Sequence, residues 1–124
     1  MEAKTLNLKL ITAFPELEQA YRDNTEWQEG DETGSHVVYG DVLVPTMLTL
    51  IKGGCYPQAK KYFDFLEALL EESDEYIDDV VATTVVEGII MDSIDSEQVK
   101  PLLGARTLVV WDEYEEWMNE GNAK

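Results

Sequence analysis

The chain carries one cysteine, Cys55, one histidine, His36, and 26 aspartates and glutamates. Covalent, metal or acid–base chemistry would have to be done with these groups. A thiol becomes a nucleophile when an imidazole takes its proton, but Cys55 lies in the turn sequence GGCYP. A lone cysteine in a helical domain more often serves as a small apolar group. Structural zinc needs sets of Cys and His, and a di-iron helical bundle needs two Glu-x-x-His pairs; a single histidine supplies neither. The run DSIDSE, Asp92–Glu97, has the look of a calcium loop without its turn glycine or its twelfth-position glutamate. Nucleophile elbows, P-loops and dinucleotide glycine patterns are missing. Two neighbouring carboxylates can do acid–base work, yet so acidic a chain brings such pairs together by chance. The expectation is a protein that is not an enzyme and uses no metal and no cofactor.

Carboxylates in number can bind instead. Between Tyr62 and Val99 the chain has Asp64, Glu67, Glu71, Glu72, Asp74, Glu75, Asp78, Asp79, Glu87, Asp92, Asp95 and Glu97, and no lysine or arginine. The stretch is also rich in Leu, Val, Ile and Phe, so it should fold. A folded surface of one sign pays self-repulsion and presents a strong field to a basic partner. The formal charge of −17 and pI near 4.1 exclude the basic stripe of a nucleic-acid binder and attraction to an anionic membrane. No apolar run approaches the roughly 20 residues of a membrane helix. The opening MEAKTLNLKLITAF lacks a secretory pattern, and one cysteine calls for no oxidising compartment. Cytoplasmic residence is the expectation.

Glu71, Glu72, Asp74, Glu75, Asp78 and Asp79 cluster where two helices should meet. They are either a solvated edge or a ligand footprint. Asp41, Glu67 and Glu87 differ, because each sits in an apolar segment: YGDVLVP, FDFLEALL and TVVEGII. One reading makes Asp41 a helix cap and gives Glu67 and Glu87 local donors, since half-buried acids need partners. The other puts them in a groove that receives a partner's Arg or Lys. Trp27, among the acids of its loop, is a candidate anchor for a basic surface. Trp111 reads as core and Trp117 as an edge residue.

The elements that must position these groups are helical. Thr5 to Phe14 forms a first helix, and Pro15 opens the next. Residues 23–35 read as the longest loop, acidic and poor in apolar positions. Asp41 to Lys52 is a helix with Pro45 near its start, ended by Gly53 and Gly54. From Pro57 an apolar face of Ala59, Tyr62, Phe63, Leu66, Leu69 and Leu70 defines another. Ser73 or Asp74 caps the following helix, in which VVATTVV suits a strand on propensity but a buried helix on its flanks. A short helix from Asp95 or Ser96 reaches Leu103. After Gly104 a last one buries Leu108, Trp111, Tyr114 and Met118, and turns Asp112, Glu113, Glu115 and Glu116 to water. The expected fold is all-α: one domain over 1–124, a compact bundle of six or seven helices stacked as antiparallel hairpins.

Four segments, HVVYGDVLVP (36–45), FDFLEALL (63–70), TTVVEGI (83–89) and LLGARTL (102–108), resemble a family of small helical bacterial proteins of unassigned function. These are often proposed as immunity proteins of polymorphic toxin systems, including contact-dependent growth inhibition. The resemblance runs from Phe14 to Trp117, and it implies a helical fold and a neutralising role without naming the toxin. The expected partner is then a basic toxin domain, such as an RNase or DNase, whose phosphate-binding cleft is occluded by carboxylates. Glu67, Glu71, Glu72, Asp74, Glu75, Asp78, Asp79, Glu87 and Trp27 are the expected contacts. The rival is an acidic adaptor that binds some other basic protein.

Overall fold

The computed structural model describes residues 1–92 and 94–122. Ser93, within the Asp92–Glu97 run, and the last two residues lie outside them. Among the described residues the fold is all-α, with seven helices and no strand. Helix α1 is Ala3–Ala13, and α2 is Glu18–Thr25, entered through the 3₁₀ turn Pro15–Leu17. Helix α3 runs over 35–52, α4 is Tyr56–Leu70, and α5 runs over 75–90. Helix α6, Ser96–Val99, continues as the 3₁₀ turn Lys100–Leu102, and α7 is Ala105–Asn122. No described helix is long and apolar enough to cross a membrane.

Helix α3 begins six residues before the expected Asp41. Val38 and Tyr39 are fully buried there, and the Tyr39 hydroxyl donates to the Leu6 carbonyl, so core packing extends the helix N-terminally. Asp41 caps nothing; it lies mid-helix and accepts from Asn24 Nδ2 at 3.1 Å. Pro45 falls inside α3. Its ring would collide with the Asp41 carbonyl in regular α geometry, and the segment Tyr39–Leu43 is π-helical instead. The wider turn absorbs the proline without breaking the helix. Residues Leu50 to Cys55 close α3 with two reversed bonds, Cys55 N–H to the Leu50 carbonyl and Gly54 N–H to the Ile51 carbonyl. Gly54 sits at φ +74, which only glycine adopts cheaply.

The VVATTVV run is helical, as its flanks imply, but Val80–Val86 is π-helical. Thr83 Oγ1 donates to the Asp79 carbonyl four residues back, and such back-bonding competes with the backbone ladder. Stiff β-branched side chains crowd the same turns. Helix α5 carries Val80, Val81, Val85, Val86 and Ile89 into the single hydrophobic cluster formed with α1–α4 and Trp111.

Close approaches fix how α5 lies. His36 Nε2 is 3.1 Å from Asp79, a Cβ on Gly40 would meet Thr84 Cγ2 at 3.2 Å, and one on Gly88 would meet Val44 at 3.4 Å. Residue numbers rise together along both helices, so α3 and α5 run parallel, with α4 returning between them. The acidic loop is shorter than expected: α2 reaches Thr25, and Gly30–Glu32 forms a 3₁₀ turn. Asn7, wholly buried, donates to the carbonyls of Asp31 and Thr33 and accepts from the Ser35 hydroxyl. It ties that loop to α1.

Candidate partner-binding groove

Glu67 projects from the last turn of α4 toward the start of α7. Its carboxylate accepts from the backbone N–H of Arg106 at 3.1 Å, the N–H of Thr107 at 2.9 Å and the Thr107 hydroxyl at 2.8 Å. Helix N-termini leave such donors unpaired, and here another helix supplies the acceptor. Burial raises the Glu67 pKa; the backbone bonds from Thr107 and Arg106 and the Thr107 hydroxyl outweigh it and hold the carboxyl below its ordinary value. Gly104 makes room, since a Cβ there would stand 2.5 Å from Oε1. Of the two readings open for Glu67, the structure commits it to the fold. The expectation that it receives a partner's cation is corrected on that ground: its oxygens are already taken.

Glu71, Glu72, Asp74, Glu75, Asp78 and Asp79 do meet at one corner, between the end of α4 and the start of α5. The absence of base in that stretch is a feature of the sequence alone. Arg106 reaches Glu67 at 3.6 Å and Glu71 at 3.7 Å, Lys9 reaches Glu72 at 3.3 Å, and His36 stands beside Asp79. Asp74 caps α5 through the N–H groups of Tyr76 and Ile77. Its hydrogen bond from the Met1 ammonium, ahead of the Ile77 N–H, keeps its carboxyl below the ordinary range. Among the described residues only Glu75 and Asp78 of the six have no ion-pair or capping partner.

A groove runs between α5 and α7. One end is lined by Leu70, Asp78, Ala82, Arg106, Val110, Glu113 and Tyr114. The other, about 350 Å³, is lined by Glu87, Glu113, Tyr114 and Trp117. The order of lining residues shows that α7 runs parallel to α5. Trp117 is 62 % exposed and meets Tyr114 edge to face, with ring centroids 6.2 Å apart. The Tyr114 hydroxyl is pushed above its ordinary range by burial and then by the charge of Glu87. Among the described residues, neither Glu87 nor Glu113 has a cationic partner. Glu87 is the one expected contact in this end of the groove.

Trp27, 74 % exposed, stands on the acidic loop and lines neither end. Glu113, Tyr114 and Trp117 were not among the expected contacts. Their signal was the spacing of Glu113 and Trp117, four apart and hence on one helix face, outside the Trp111 stripe. In that stripe only Trp111 is fully buried; Leu108, Tyr114 and Met118 are half-buried, and Thr107 takes a fully buried place. Glu115 corrects another expectation. It turns inward, accepts from the Ser96 hydroxyl and pairs with Lys100 at 3.0 Å, which fastens α6 to α7.

Among the described residues no three of His, Cys, Asp and Glu stand close enough to hold a metal ion. No curated protein and no solved structure matches the chain. Residues 7–119 match the model of a family described as a domain of unknown function, DUF7674. The match spans well over half of the sequence, and the chain therefore belongs to the DUF7674 family.

Proposed function

We propose that this protein binds a basic polypeptide and that the partner is a toxin domain it neutralises in the bacterial cytoplasm. The observation that carries the reading is the groove between α5 and α7. At its second end two carboxylates, with no cationic partner among the described residues, flank an exposed tryptophan on a chain of net charge −17. Aromatic anchors ringed by charge supply much of the energy at protein interfaces, and the surrounding negative field steers a basic partner toward them. The immunity role rests on the four-segment resemblance. Nuclease clefts hold phosphates with Lys and Arg, so a carboxylate-walled surface is suited to occupy one. Fast capture suits an antidote, because one free nuclease molecule turns over many substrates.

Co-expression with a basic C-terminal toxin domain encoded beside it should restore growth, and Glu87→Lys with Glu113→Lys should abolish the rescue. Absence of rescue by the folded wild type would remove the toxin reading. Tight, salt-sensitive binding to a non-toxic basic protein at the same groove would put an adaptor in its place.

A further inference from the structure

The two ends of the α5–α7 groove share Glu113 and Tyr114 and differ in what else they present. At the first end the lining already includes a cation, Arg106, beside Asp78, Glu113 and Tyr114, and its guanidinium turns out of the groove to Glu67 at 3.6 Å and Glu71 at 3.7 Å. At the second end Glu87 and Glu113 reach in from different helices beside Tyr114 and the open face of Trp117, and no cation of the described chain stands between them. We infer that this second end is an anchor pocket for one arginine side chain of the partner, held between the carboxylates of Glu87 and Glu113 and against Trp117. The inference rests on the proposed function and names the group that its groove reads.

Arginine fits better than lysine for three reasons. Its five N–H donors fan out in a plane and can serve two carboxylates that approach from separate helices, whereas an ammonium is a compact point charge. The planar cation stacks on an indole face, and tryptophan is the strongest such partner. The guanidinium is also the more weakly hydrated of the two, so it loses less on entering a cleft with an apolar floor. Trp117 meets Tyr114 edge to face, a contact that favours one ring orientation and so lowers the ordering that binding must supply.

The test titrates the full chain, labelled with ¹⁵N, with three probes: the peptide amides Gly-Arg-Gly-Arg-Gly, its lysine counterpart and its citrulline counterpart. The arginine peptide should shift the Trp117 indole N–H saturably, with the lysine peptide weaker by about fivefold or more and the uncharged citrulline peptide silent. Trp117→Ala should weaken the arginine peptide by about tenfold, and Glu87→Gln with Glu113→Gln should remove the shift. Glu75→Gln with Glu97→Gln, of equal charge change, should leave it. Equal binding of the lysine peptide, equal binding of the citrulline peptide, or shifts confined to residues 71–79 would each overturn the pocket. Failure here is separable from failure of the function. A basic partner held equally by wild type and Trp117→Ala sinks the pocket alone. An arginine-selective pocket in a chain that rescues no toxin-expressing cell sinks only the toxin reading.

Discussion

Glu67 and Glu87 sit in similar surroundings by sequence, each an acid in an otherwise apolar helical run, and the molecule uses them in opposite ways. Around Glu67 two N–H groups and a hydroxyl at the start of α7 point at the carboxylate, and Gly104 leaves the space it fills. Around Glu87 the neighbours are another acid, Glu113, the ring of Trp117, and Tyr114, whose hydroxyl is its one local hydrogen-bond partner among the described residues. The first carboxylate is held by the fold, and the second is, on the function proposed here, the one offered to a cation of the partner. Charge density along a chain therefore says little about charge that is available. The corner at 71–79 makes the same point, since Lys9, His36 and Arg106 arrive from other helices to meet its acids.

The comparison breaks most visibly at Glu67. Glu67→Ala strands two N–H groups and a hydroxyl in a half-buried place, and should cost about 2–3 kcal/mol in urea unfolding. A loss under half that size would mean that α7 docks without its cap. The effect depends on pH in a definite sense. A carboxyl whose folded pKa is lowered stabilises fully above its unfolded value and loses that contribution as the pH falls through the folded one. The gap between wild type and Glu67→Gln should therefore shrink on acidification below about pH 4.5. Asn7→Ala comes next, at about 2 kcal/mol, because a buried carbonyl, that of Thr33, and a part-buried one, that of Asp31, lose their donor. Hydrogen exchange should quicken at residues 30–34, and unchanged protection there would put the loop's anchor elsewhere. Gly104→Ala should cost about 1–2 kcal/mol by displacing the Glu67 carboxylate, with little further loss when combined with Glu67→Ala.

At the other pole, Glu87→Gln and Trp117→Ala should shift the unfolding free energy by no more than about 0.5 kcal/mol while they weaken the partner. A large destabilisation by either would place the groove among the structural parts and erase the contrast. Lys9→Ala, which frees Glu72, should change stability least, by about 0–0.5 kcal/mol. It should also steepen the salt dependence of association, because one more unpaired acid faces the partner.

Much of the fold was legible because helical spacing is a local property. The face Tyr62, Phe63, Leu66, Leu69 and Leu70, the cap at Asp74 and the stop at Gly54 all stand as spacing and residue type imply. VVATTVV was readable as helix from its flanks, while its π geometry depends on Thr83 back-bonding and on packing against α3. Asp41 could not be placed correctly, since the start of α3 is decided by the burial of Val38 and Tyr39 against α1. Glu113, Tyr114 and Trp117 were visible as residues, but nothing local showed that α5 would lie beside them.

By itself the amino-acid sequence determined the helical elements, the excess of negative charge and the poverty of groups for covalent or metal chemistry. Only the tertiary structure decided which carboxylates are occupied and which are open. Electrostatic pairing acts through space at a few ångströms, and residues as far apart in the chain as Glu67 and Thr107, or Lys9 and Glu72, meet only once the helices have packed.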